Sequence, residues 1–143
     1  YDGVSVDYAT DFFSLGIWTD LAENPGFEYA LAYTGVENLT VKYILGDYGV
    51  SSETKSTLWA SYQLCKLLMA AEIADHSSMG NSATEDRDGW LIMANYSITD
   101  PLSLTVRYSN TETTGATAAN VCDINRFTVS PTYMVTDNFG FLG

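Results

Sequence analysis

The sequence has few basic residues, cysteines, histidines and prolines, and it has no long apolar run. Six Lys and Arg against 18 Asp and Glu give a formal net charge of −12. This charge repels phosphate backbones and excludes nucleic acid as a partner. A run of about 18 apolar residues is missing, which excludes a transmembrane helix but leaves membrane-spanning strands possible.

Histidine and cysteine are too scarce for metal or nucleophilic chemistry. His76 is the one histidine and no Cys-x-x-Cys occurs, so neither a metal constellation nor a catalytic triad can be assembled. The acidic run Glu85, Asp86 and Asp88 lacks the full spacing of a calcium loop and is interpreted as a solvated loop. We therefore predict no cofactor, no metal and no enzymatic activity.

Alternation of apolar and polar residues dominates what is present. In residues 98–110, ITDPLSLTVRYSN, every second residue from Leu102 to Tyr108 is apolar and its neighbours are polar, the two-residue period of a strand. The same pattern recurs along the chain and predicts one all-β domain over residues 1–143. Its ten strands are expected at about 3–9, 12–19, 26–34, 38–48, 56–64, 67–76, 89–98, 102–110, 125–135 and 138–143.

Short turns alternate with long polar connections between these strands. The turns lie at 9–13, 36–40, 64–68, 98–102 and 135–139, and the long connections lie at 19–26, 47–55, 77–89 and 110–125. An antiparallel up-and-down meander places all short turns at one end and all long loops at the other. This arrangement is typical of transmembrane β-barrels, whose tilted strands of about 9–11 residues cross the hydrocarbon layer.

The two faces of the predicted strands differ in charge. Aromatic residues of the apolar face gather near both strand ends, as in the aromatic girdles of a membrane barrel. The opposite face is predicted to line a pore with Asp7, Glu28, Lys42, Glu72, Asn95 and Arg107. A turn at 35–38 would place Ala30 opposite Lys42 and Glu28 diagonally beside Lys42, as an ion pair.

Four stretches carry a resemblance to a known family. DFFSLGIW, FEYALAYTGVENLTVKYIL, WLIMANYSITDPLSLTVRYS and FTVSPTYMVTDNFGFLG resemble the Gram-negative outer-membrane porins, especially barrels with Thr-Asp-Asn or Thr-Asp-Pro turns. The resemblance implies a transmembrane β-barrel in the bacterial outer membrane and passive passage of small hydrophilic solutes. The expected partners are the lipid bilayer and those solutes, with a homo-oligomer such as a trimer left open.

Size and charge set further expectations. YDGVSVDYA opens the chain as a strand and FGFLG closes it without a terminal aromatic residue, so both ends are interpreted as truncated or unresolved and the chain as a segment of a larger barrel. Ten strands alone would make a narrow barrel. The long loops 77–89 and 110–125 would fold inward and narrow its pore further. Asp7, Glu28 and Glu72 outnumber Lys42 and Arg107, which favours a weak cation preference.

Several alternatives remain open at the sequence level. Residues 55–78 also fit an amphipathic helix, with apolar residues at steps of three and four. Pro131 suggests a bulge inside strand nine, and Cys65 and Cys122 would lie at opposite ends of the barrel, too far apart for a disulfide. Trp59, Leu68, Leu91 and Met93 on the polar face would suit a non-conducting barrel that anchors surface loops for adhesion or receptor function. A soluble β-barrel that binds apolar ligands is the third possibility.

Overall fold

A computed structural model of the protein describes residues 3–21, 23, 25–48, 53–77, 85–115, 121–136 and 139–143. In these ranges the chain is all-β, and no helix is long and apolar enough to cross a membrane. The ten strands found there are β1 (Gly3–Ala9), β2 (Phe13–Asp20), β3 (Phe27–Tyr33), β4 (Leu39–Tyr48), β5 (Glu53–Leu64), β6 (Leu67–Ser77), β7 (Asp86–Ser97), β8 (Leu102–Thr114), β9 (Cys122–Thr136) and β10 (Phe139–Leu142).

All ten strands belong to one antiparallel sheet. Each strand pairs with its neighbours in the sequence, in the order β1 to β10, so the predicted meander is confirmed. Within the described residues β1 and β10 do not pair with each other, and the sheet is open. The predicted closure into a barrel therefore stays a prediction.

Residues 53–77 form the hairpin of β5 and β6, and the helical alternative predicted for 55–78 is wrong over the described residues. Leu58 pairs with Ile73 and Tyr62 with Met69, so the apolar residues of both strands meet on one face. A two-residue turn at Cys65 and Lys66 joins the strands, and Cys65 has a positive φ of 51°. Cys65 and Cys122 are free and lie at opposite ends of the sheet, as predicted.

The predicted register between β3 and β4 is wrong by two residues. Lys42 pairs with Ala32 rather than Ala30, and Glu28 pairs with Gly46. The turn is centred later than expected, because Asn38 adopts a positive φ of 63° and the Leu39 amide donates to the Val36 carbonyl at 3.1 Å. Glu28 and Lys42 are therefore too far apart along the strands for the predicted ion pair, although an even shift keeps both on the same face.

The bulge expected at Pro131 is not found at that position of β9. Leu104 pairs with Pro131 in an unbroken β8–β9 register. The β9–β10 register shifts further along, where Phe139 pairs with Thr136 and Gly140 with Met134, so the extra residue of this bulge is Val135 on β9. The Pro131 carbonyl accepts a hydrogen bond from the Gly143 amide at 3.0 Å. Proline cannot donate in return, and the Ser130 hydroxyl donates to the Gly143 carbonyl instead, at 2.5 Å.

The sheet has almost no core. The solvent-accessible surface is 9879 Å², about a third more than the roughly 7,300 Å² expected for a compact protein of this size. Among the described residues, Ala70 is the one buried apolar side chain, at 7 % exposure. Backbone pairing therefore holds this sheet, and its apolar face has no covering layer within the described chain.

The positive φ at Asn38 predicts a specific sensitivity of the β3–β4 turn. Asn38→Val should lower the free energy of unfolding by about 1–2 kcal/mol, because a β-branched residue strongly disfavours the left-handed region. Asn38→Gly is the matched control and should leave stability within about 0.5 kcal/mol, since glycine adopts this conformation readily. Urea titration followed by tryptophan fluorescence measures both. Equal losses in the two variants would contradict the proposed turn geometry.

Candidate functional site

The apolar residues predicted strand by strand lie on one continuous face of the sheet. Directly paired residues in a sheet share a face, and the register joins Leu31 to Tyr43, Ala71 to Ile92 and Val106 to Val129. Most of this face is open, with Ile92 exposed at 54 %. Monomeric soluble proteins rarely leave so large an apolar area uncovered. This face, from β1 to β9, is called the apolar band below.

The apolar band runs obliquely across the strands. One row of paired residues starts within the band, then leaves it and becomes acidic; in order it contains Val6, Ile17, Tyr29, Leu45, Ser56, Asp75, Asp88, Glu112 and Asp123. On β1 the apolar set is Val4, Val6 and Tyr8, with Val6 at its centre. On β9 the set runs over every second residue from Phe127 to Val135, and its centre, Pro131, lies eight positions beyond Asp123. The band therefore shifts by about one residue per strand, which corresponds to a strand tilt of about 35° at 3.4 Å per residue and 4.8 Å between strands.

Aromatic rings mark both edges of the apolar band. Tyr8 and Phe13 lie near the short turns with ring centroids 6.0 Å apart. Trp90 and Tyr108 lie near the long loops, with ring centroids 5.5 Å apart. The Tyr108 hydroxyl donates to the Asn125 side-chain oxygen at 3.0 Å, so this ring joins the apolar band to the polar zone beyond it.

Four carboxylates follow one another beyond the long-loop edge of the band. Asp75, Asp88, Glu112 and Asp123 are direct partners on neighbouring strands, and the Asn110 amide donates to Asp123 at 2.6 Å. A side-chain hydrogen bond with Asp75, then desolvation and the nearby negative charges, raise the pKa of Asp88. Like charges placed directly opposite destabilise a strand pair, so this row costs stability at neutral pH.

The opposite face, called the polar face below, carries all six residues predicted to line a pore. The register places Asp7, Glu28, Lys42, Glu72, Asn95 and Arg107 on that face. It does not bring them into one cluster, since they are spread over six strands. The Asn95 amide donates to the Thr105 hydroxyl at 2.8 Å, and the Lys42 ammonium lies 5.7 Å from the Trp59 ring centroid.

Sequence reasoning missed five further charges on the polar face. Strands β5 and β7 each begin three residues earlier than predicted, which adds Glu53, Lys55 and Arg87. Strand β2 ends one residue later than predicted, which adds Asp20. Arg126 lies inside a predicted strand, and its position next to Phe127 could have placed it on this face. With these residues the face carries five acidic and five basic groups, so the acidic excess counted for Asp7, Glu28 and Glu72 against Lys42 and Arg107 does not extend to all described strand residues of this face.

Charge on the polar face is separated from one side of the sheet to the other. Strands β1 to β3 contribute only acidic groups, namely Asp7, Asp20 and Glu28. Strands β7 to β9 contribute only basic groups, namely Arg87, Arg107 and Arg126. The strands between them contribute Lys42, Glu53, Lys55 and Glu72. All these residues lie in the described ranges, so strands β7 to β9 form a cationic side of the sheet.

A groove of ≈ 670 Å³ lies on this cationic side. Its lining includes Lys55, Glu72, His76, Arg87, Arg107 and Arg126. At its loop end Glu53 contacts the His76 imidazole and lies 3.2 Å from the Lys55 ammonium. The three arginines make no ion pair with any other described residue. The Arg87 Nε donates to the Thr113 hydroxyl at 3.3 Å. The groove therefore presents guanidinium groups that no described carboxylate neutralises.

Comparisons with known proteins give no family for this chain. A search of protein-family models and a search of curated proteins both find no match. The porin resemblance therefore stays a prediction from the residues. The predicted narrowing by the long loops falls largely on 78–84 and 116–120, which lie outside the described residues.

The carboxylate row predicts a gain in stability when one of its charges is removed. Asp88→Asn should raise the free energy of unfolding at pH 7 by about 0.2–1 kcal/mol, because it removes like-charge repulsion across two strand pairs. A raised pKa in the folded state means that wild-type stability falls as pH rises through that pKa. The difference between variant and wild type should therefore vanish below the ordinary pKa of aspartate and grow above it.

Glu37→Gln is the matched control, since it removes the same charge from the short β3–β4 connection. It should leave the unfolding free energy unchanged across the same pH series, measured by urea titration. An equal gain in both variants would show that only the net charge matters.

Proposed function

We propose that this protein is a transmembrane β-barrel, or a segment of one, that acts as a diffusion channel for small hydrophilic solutes in a bacterial outer membrane. The apolar band faces lipid in this arrangement, and the polar face encloses water. A closed antiparallel sheet satisfies its backbone hydrogen bonds internally, the condition for strands to cross hydrocarbon. The proposed partners are lipid and small solutes, and a homo-oligomer such as a trimer remains an option.

The oblique path of the apolar band is the observation that carries this proposal. A flat layer of hydrocarbon crosses tilted strands at different levels, so its imprint moves along the strands from one to the next. The tilt of about 35° agrees with the roughly 35–45° of membrane barrels. Five apolar positions from Trp90 on β7 to Ile98, the residue after it, extend about 27 Å. At that tilt they span about 22 Å across the membrane, close to a lipid-facing band of about 25 Å.

The polar face supports a water-filled interior. Five acidic and five basic groups share it with hydroxyl and amide side chains. Charges are costly against lipid and belong in an aqueous lumen. The acidic excess that favoured cations was counted over five residues, whereas the ten charged groups of the polar face are balanced. The proposed channel therefore carries no general cation preference.

A non-conducting barrel that anchors surface loops is the second candidate. Met93 is the direct partner of Ala70 on the polar face, and Trp59 and Leu91 are its diagonal neighbours on β5 and β7. Leu68 lies two residues before Ala70 on β6. Ala70 is the buried apolar residue of the sheet. An apolar patch in the lumen would suit a filled interior, so conductance separates this candidate from a channel.

A matched pair of arginine substitutions tests which face meets lipid. Leu31 lies on the apolar band. Ala30 lies on the polar face, in the same row of paired residues as Gly16 and Asp7 and two residues from Glu28. The two variants are Leu31→Arg and Ala30→Arg. Leu31→Arg should cost about 2–4 kcal/mol of folding free energy in lipid vesicles. Ala30→Arg should cost less than about 1 kcal/mol, because its charge meets water and acidic neighbours. Urea unfolding from vesicles measures both; the reverse order would place the apolar face inside, as in a soluble ligand-binding barrel.

Planar bilayer recording tests the channel itself. The purified full chain in detergent should produce stepwise conductance in KCl, and unheated samples should migrate differently from heated ones in gels. Heat-dependent migration without conductance would favour the non-conducting anchor. Solubility without detergent, together with heat-independent migration, would refute both membrane proposals.

A further inference from the structure

The distribution of basic residues on this acidic chain is not explained by a channel for solutes in general. Five of the six basic residues, Lys42, Lys55, Arg87, Arg107 and Arg126, lie on the polar face, and all six fall in the described ranges. Only Lys66 lies elsewhere, in the short β5–β6 turn. In a chain of net charge −12, the three basic residues of β7 to β9 share the polar face with no acidic residue of those strands, which favours anions there over the rest of the chain.

The three arginines occupy successive levels from the loop end towards the middle of the sheet. Arg87 pairs with Thr113 and Arg126 pairs with Ser109. Arg107 lies two residues before Ser109 on β8, on the side of the short turns. Arg126 and Arg107 are diagonal neighbours on adjacent strands, about 7–8 Å apart in the usual geometry. An anion entering at the loop end would meet Arg87 first and the Arg126–Arg107 pair next. These three residues are called the arginine ladder below.

Hydrogen-bond donors surround the inner pair of the ladder. Arg107 is the direct partner of Thr128, and Arg126 is the direct partner of Ser109, so each arginine has a hydroxyl-bearing residue beside it on the neighbouring strand. Guanidinium binds the two oxygens of a carboxylate or phosphate in parallel, which a point charge cannot do. The donor set fits an oxyanion better than a spherical ion.

The charge balance of the groove supports the same ligand class. Four basic groups and two acidic ones, Glu72 and Asp75, line it, an excess of two positive charges. Arg107 and Arg126 make no ion pair with another described residue, so no described carboxylate relieves their mutual repulsion. An anion between them would relieve it.

We propose that the arginine ladder on β7 to β9 binds small oxyanions, carboxylates or phosphate, and makes them the preferred solutes of this protein. The preference for solutes rests on the proposed channel function. Binding itself does not, because the ladder exists on the sheet whether or not the protein conducts. The two statements therefore need separate measurements.

Binding is measured without conductance, by isothermal titration calorimetry of the detergent-solubilised full chain with inorganic phosphate and with succinate at constant chloride. Arg107→Gln and Arg126→Gln should each weaken binding at least about tenfold, since each removes a bidentate charged partner. Arg126→Lys keeps the charge and should show an intermediate loss. Lys66→Gln removes a positive charge outside the groove and should bind like the wild type. Gel migration of unheated samples shows that each variant is folded.

Selectivity is measured from reversal potentials in a KCl gradient across a planar bilayer. The wild type should favour chloride over potassium, and each arginine-to-glutamine variant should lower the permeability ratio at least about threefold, while Lys66→Gln should not. Conductance with potassium preference and no phosphate or succinate binding would overturn the inference but keep the channel. Binding without conductance would overturn the channel but keep the oxyanion site. Absence of both would overturn both, and a response to only phosphate or only succinate would identify which oxyanion the ladder takes.

Discussion

Unbroken antiparallel hydrogen bonding between neighbouring strands fixes every other feature of this protein. The described chain has one sheet, one buried apolar side chain and no second layer, so side-chain packing inside a core cannot determine its geometry. The register from β1 to β9 is continuous. Because side chains alternate strictly between faces, this continuity makes nine separate apolar strand faces into one surface.

A sheet with one apolar and one charged face needs two different environments. Hydrocarbon on the first face and enclosed water on the second would satisfy both, without requiring a protein layer on either. The oblique apolar band adds a geometric argument to this chemical one, because a planar lipid layer would leave such an imprint on tilted strands. In that arrangement the separated charges of the polar face would give the enclosed water a cationic side at β7 to β9.

Strand number and strand faces could be predicted from the sequence because both depend on local alternation. The sequence pattern of residues 55–78 fitted both a helix and a hairpin, since Leu58, Tyr62 and Met69 match a helical stripe as well as a strand face. Cross-strand pairing decides it, and pairing is not a local property. The error at Glu28 and Lys42 has the same origin, because one positive φ at Asn38 moves the turn centre and shifts the whole β3–β4 register.

The candidate site divides in the same way between local and non-local information. The sequence alone determined which residues share a face on each strand and that charges such as Lys42 and Arg107 lie opposite the apolar residues, because the side-chain period is fixed within a strand. Only the tertiary structure decided the register, that is, which residues of neighbouring strands pair with each other. It therefore decided the slope of the apolar band, the extension of β5 and β7 that adds Lys55 and Arg87, and the closeness of Arg107 to Arg126. Turn conformation and interstrand hydrogen bonds set those levels, and a single strand contains neither.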